Sequence, residues 1–122
     1  MHRSMMQVFV KNSAEAVLFY QKAFDTELLC CYTDNDGKIM HAELSIYGQI
    51  MAISELAEEK TITGNTMMFC FEFGEGKDEI VRKIYEVLKE DAMECSPLEK
   101  CDYSSLQMVI VDKFGVWWCI FL

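Results

Sequence analysis

The 122-residue chain has one proline and two histidines, and no apolar run near the roughly 18–20 residues needed to cross a membrane. Its first residues, MHRSMMQVFVKN, lack the apolar core of a secretory signal. A soluble, cytoplasmic protein with no membrane partner is therefore expected. Basic residues are also scarce: 11 Lys and Arg face 20 Asp and Glu, for a net charge of −9. Such a surface repels phosphate backbones, so nucleic acid is not an expected partner, and the acidity serves solubility. No nucleophile elbow, phosphate-cradling glycine loop or dinucleotide fingerprint is present. Cysteine is the exception to this sparseness, at six residues. Cys95 and Cys101 are separated by five residues, wider than zinc pairs use, and no second pair or nearby histidine completes a set. Cys30, Cys31, Cys70 and Cys119 lie in strand-like apolar runs and, without an export signal, are expected as buried free thiols.

Hydrophobic residues make up 52% and charged residues 25%, ordinary values for one folded domain over 1–122. MMQVFV (5–10) reads as a strand. Asn12, with Glu15 three residues on, offers a capping box to a helix buried through Ala16, Val17, Phe19, Tyr20, Ala23 and Phe24. TELLCCYT (26–33) is strand-like, DNDG (34–37) is a turn, and 39–54 is a hairpin. The polar stretch 55–65 is the longest expected loop, and Glu55, Glu58 and Glu59 are expected to be solvated. A second strand (66–73) and an amphipathic helix (77–92, with Ile80, Ile84, Val87 and Leu88 on one stripe) follow. MECSPL is a short edge candidate because of Pro97, and a hairpin around DKFG ends the chain. The order strand, helix, strand, strand, strand thus occurs twice, about 5–60 and about 61–122. Each such sheet can cover one face with its own helix, and the other must find a partner. The expected fold class is α+β, with two β-α-β-β-β repeats forming a cupped, barrel-like mixed sheet whose cavity suits a ligand.

The hairpin IMHAELSIYGQIMAIS (39–54) carries a polar set within an oily sequence. With Tyr47-Gly48 as a two-residue loop, Ile46 pairs with Gln49, Ser45 with Ile50, Glu43 with Ala52 and His41 with Ser54. Alternation then puts His41, Glu43, Ser45, Ile50, Ala52 and Ser54 on one face, and Met40, Ala42, Leu44, Ile46, Met51 and Ile53 on the other. The second set is wholly apolar and belongs under a helix; the first belongs to the cup. The same alternation adds Gln7, Met68, Cys70, Glu72, Gln107, Trp117 and Cys119 to the cup-facing residues. Both faces of 116–122 are apolar, which implies burial on both. Trp117 and Trp118 read first as core.

The stretches FVKNSAEAVLFYQKAFDTEL (9–28), DGKIMHAELSIYGQIMAIS (36–54) and DKFGVWW (112–118), in this order and at these distances, resemble the vicinal oxygen chelate superfamily of glyoxalase, bleomycin resistance and dioxygenase proteins, in particular its PhnB-like branch. The resemblance spans essentially the whole chain. It implies a divalent metal held by His and Glu on the first and last strands of each repeat. Carried over, those positions are Met5, Ala52, Met68 and Cys119, within one residue. None suits a hard metal ion, so the usual metal site is expected to be absent, with no metal or other cofactor. A soft Cu(I) site of Met5, Met68 and Cys119 is the rival to plain apolar lining. The resemblance also implies a homodimer, with edge strands and the 55–65 loop as contact surfaces.

Three functions fit this pattern. The first is a protein binding a small organic ligand through Gln7, His41, Glu43, Ala52, Ser54, Met68, Gln107, Trp117 and Cys119. The second is an enzyme of the same superfamily, of lyase, isomerase, transferase or dioxygenase type, with His41 and Glu43 as catalytic acid and base. The third is an oligomerisation module in which that pair is structural.

Overall fold

Strand formers and helix formers alternate in the structure much as they do in the sequence. A computed structural model describes residues 1–122. The chain divides into two compact units, Met1–Thr61 and Ile62–Leu122.

The first unit runs β1 (Met6–Val10), α1 (Ser13–Phe24), β2 (Leu28–Thr33), β3 (Ile39–Ile46) and β4 (Gln49–Glu55). Its sheet has the order β1-β4-β3-β2, with β1 and β4 parallel and the other pairs antiparallel. The hairpin register is Ile46↔Gln49, Ser45↔Ile50 and Glu43↔Ala52. Tyr47 and Gly48 both have positive φ, 49° and 92°, the geometry of a tight primed turn. Ala42, Leu44, Ile46, Met51 and Ile53 are buried, and α1 packs on β3 and β4 through the expected stripe. Burying each larger side chain of this set contributes about 1.5–3 kcal/mol.

Met40 departs from the expected core face: it is 64% exposed, and Ile39 is buried instead. A register shift between Tyr32 and Thr33 makes Ile39, not Met40, the partner of Thr33. An extra residue in a strand moves its neighbours across the pleat. The capping box is also replaced. Asn12 sits in the left-handed region (φ 58°) and makes no side-chain cap. Glu55, expected in a solvated loop, ends β4 and accepts hydrogen bonds from the Ser13 amide (3.0 Å) and hydroxyl (2.8 Å). Burial works to raise the Glu55 carboxyl, but the Ser13 bonds, with the Lys38 charge and the Asn12 amide, together hold the group below its ordinary value.

The second unit runs β5 (Phe69–Glu72), α2 (Asp78–Leu88), β6 (Glu94–Cys95), β7 (Glu99–Cys101), β8 (Ser104–Val111) and β9 (Trp117–Phe121). The sheet order is β5-β9-β8-β6, and β7 also pairs with β8. The second strand of the repeat is thus split in two, around Pro97. Strand β5 and helix α2 are both shorter than expected, so Met68 precedes the strand. Val81, Ile84, Val87 and Leu88 form the buried helix stripe, and Ile80 is only half-buried. Trp118 is fully buried, with Phe69 and Phe71 at 5.5 and 5.7 Å between ring centroids. In the β8–β9 turn, the buried Asp112 accepts from the amides of Phe114 (2.9 Å) and Val116 (3.1 Å) and from the Trp118 indole (2.9 Å).

All six cysteines are free, but only Cys119 is buried. Cys31 and Cys70 are exposed because β2 and β5 are the edge strands of their sheets. No helix is long and apolar enough to cross a membrane.

Candidate functional site

The sheet face of the first unit opposite α1 carries the polar residues. Strand register puts Cys30 beside Glu43 and Tyr32 beside His41 from β2, Ala52 beside Glu43 from β4, and Gln7 beside Ala52 from β1. Glu43 is the centre of the group and is only 6% exposed. Arg3, in the segment before β1, donates from Nη1 to Glu43 Oε2 (2.9 Å) and from Nη2 to Oε1 (2.7 Å). His41 Nε2 lies 2.9 Å from the same Oε1. A carboxylate can only accept, so the imidazole nitrogen facing it carries the proton. The Arg3 hydrogen bonds, followed by that of His41, hold the Glu43 carboxyl down at about 2. Arg3 is in turn raised above its ordinary value, through its hydrogen bond to Glu43 first.

Next to this cluster, Gln7 Nε2 donates to Ser54 Oγ (3.1 Å) and to the Val8 carbonyl (3.1 Å). Ala52 is fully buried between Gln7 and Glu43. Strand pairing thus sets Gln7, not Met5, beside Ala52. In the second unit it sets Cys70, not Met68, beside Cys119. A groove of about 920 Å³ at the N-terminal end of α1 includes Phe9, Ser13, Lys38, Met40, Ser54 and Glu55; of the expected ligand residues it takes in only Ser54.

The second unit gathers Gln107, Cys119 and Cys70 on one face. Gln107 Nε2 donates to Cys119 Sγ at 3.5 Å. Burial first, then the neighbouring Cys119, raises the Cys70 thiol. Trp117 is half-buried and lines a separate groove of about 490 Å³ with Thr63, Asn65, Met93, Glu94 and Val111. Trp118 is core, as expected, whereas Trp117 keeps one side open.

Two residues of the Glu43 cluster were not read from the sequence. Arg3 belongs to no element, so no periodicity marks it. Cys30 had a signal: extending the β2–β3 pairing back from DNDG brings it next to the His41–Glu43 stretch. The thiol, the imidazole and the carboxylate offer donor atoms all within 4.8 Å of one another.

No family model matches the sequence, and no curated protein does. Solved structures do. A PhnB protein from Bacillus cereus superposes with a TM-score of 0.81 at 21% identity, covering 99% of both chains. A Pseudomonas aeruginosa protein gives 0.81 at 17% identity, covering 99% of this chain and 97% of that one. The chain has the glyoxalase/bleomycin resistance fold. The fosfomycin resistance protein FosX from Listeria monocytogenes shares it, in a mutant form complexed with Mn(II) and a dihydroxypropylphosphonic acid, with a TM-score of 0.70 at 18% identity over 98% of this chain and 90% of that one. At these identities the likeness speaks for the fold alone.

Proposed function

We propose that this PhnB-like chain binds a small organic ligand, without the superfamily's usual metal set on the first and last strands. The observation carrying this reading is Glu43: a buried carboxylate kept ionised by Arg3 and His41 on a sheet face that also carries Gln7, Ala52 and Ser54. Fixed polar groups among apolar walls orient small ligands. In residues 1–61 the contacts would come from Gln7, His41, Glu43, Ala52 and Ser54. In residues 62–122, Met68, Gln107, Trp117 and Cys119 would supply a more apolar, sulfur-rich surface. A thermal-shift screen against aromatic compounds and antibiotics, fosfomycin included, tests this. A binder at 100 times its Kd adds about 2.7 kcal/mol of stability. A flat response across the library rejects the reading.

A second reading, catalysis, is favoured by the 2.9 Å contact between His41 and Glu43. A carboxyl at about 2 is too weak a base for neutral pH, since a general base works best near the operating pH. In that case His41 moves the proton and Glu43 orients it. Any activity would then be abolished in His41→Gln and only reduced in Glu43→Gln. A homodimer is part of the same proposal. The edge strand β2 supports it, because Leu29 and Tyr32 stand exposed there, and light scattering would report the mass.

A further inference from the structure

We infer that Cys30, His41 and Glu43 form a zinc site whose cation position is filled by the Arg3 guanidinium when no metal is bound. The three donors come from two adjacent strands and already lie within 4.8 Å of one another. Zinc bonds of about 2.3 Å to sulfur and about 2.0–2.2 Å to nitrogen and oxygen put tetrahedral ligands about 3.3–3.7 Å apart. Shifts of about an ångström in side chains therefore close the set. Its chemistry is selective. One thiolate, one imidazole and one carboxylate suit zinc, whereas Mg²⁺ and Mn²⁺ prefer oxygen alone. Three protein ligands also leave the fourth position open to water or a ligand atom, the pattern of reactive rather than purely structural zinc.

The charge balance of the exchange is even. The group now presents one carboxylate and one guanidinium beside the Cys30 side chain. On zinc binding, Cys30 gives up its thiol proton and Arg3 withdraws from Glu43, so two positive charges leave as Zn²⁺ enters. His41 ligates through the nitrogen already facing Glu43, whose proton is exchanged to the other ring nitrogen, so the imidazole enters the site as a neutral ligand. Arg3 can withdraw because it is on a segment outside the sheet and half its side chain is already in solvent. Glu43, by contrast, is held in mid-strand, with β2 and β4 on either side. This site differs from the positions carried over from the superfamily, which fall on other strands or before them. It also stands apart from the organic-ligand proposal: zinc can bind without any library compound doing so, and the reverse.

The experiment is titration of the reduced full chain with Zn²⁺ alone by calorimetry, with Co²⁺ as a spectroscopic substitute. One ion per chain is expected, with release of a proton and, for Co²⁺, a thiolate charge-transfer band in the near ultraviolet. Cys30→Ser and His41→Gln should each weaken binding by about tenfold or more, and Cys30→Ser should remove the band. Cys31→Ser and Cys95→Ser should leave both intact. Arg3→Ala should tighten binding, because the competing cation is gone. Circular dichroism checks that each variant folds, and His41→Gln decides the matter if Cys30→Ser does not. The inference is overturned if neither the wild type nor folded Arg3→Ala takes up an ion. It is also overturned if binding and the cobalt band persist in Cys30→Ser, or if Arg3→Ala binds zinc more weakly than the wild type.

Discussion

Glu43 has three hydrogen-bond donors on its two oxygens, two from Arg3 and one from His41. Its carboxyl is lowered from 4.5 to about 2 on folding, so the unfolded chain takes up a proton there before the folded chain does. The resulting stabilisation is complete above pH 4.5 and is lost as the pH falls toward about 2. Glu43→Gln should therefore flatten the acid limb of the stability curve in that window. Urea unfolding midpoints across the range would reveal it; an acid limb as steep as the wild type's would contradict the assignment. The same residue also bounds the chemistry, since a carboxylate this acidic orients and attracts cations but does not abstract protons at neutral pH.

Two elements end on carboxylates that the sequence pattern put to other use. Glu55 replaces the expected capping box by reaching from the end of β4 to the start of α1, so a strand supplies the helix with its N-terminal acceptor. Asp112 does similar work in the β8–β9 turn. Its two oxygens satisfy two backbone amides and the buried Trp118 indole. Asp112→Ala leaves those donors without their acceptor and should cost about 2–4 kcal/mol. Asp112→Asn keeps an acceptor oxygen and should cost less. Chemical denaturation measures both, and equal losses would show that volume rather than hydrogen bonding matters at this position.

On the scale of the molecule, the fold was legible because its signals are local and repeated. Both helix stripes, the Tyr47-Gly48 turn and the doubled strand order are written in short-range spacing. The misses share a different cause. Arg3 meets Glu43 across 40 residues, and Ser13 meets Glu55 across 42. The inward turn of Ile39 depends on a bulge that alternation alone does not reveal. The site was legible to the extent that His41 and Glu43 share a pleat and Ala52 faces Glu43 across the hairpin; Arg3 and Gln7 reach them from the distant N-terminal segment and β1. That distance has a consequence for folding order. The β3–β4 hairpin closes over two residues, whereas β1 joins β4 in parallel only across an intervening helix and two strands. Contacts that close long loops form late, because the chain must first lose more freedom. Val8→Ala in β1 should speed unfolding and leave the refolding rate almost unchanged, while Leu44→Ala in the hairpin should slow refolding, a contrast that stopped-flow kinetics would refute if both variants changed the same limb. Arg3 precedes β1, so if β1 docks last the Glu43 carboxylate would stay uncovered until then, open to whichever cation arrives first.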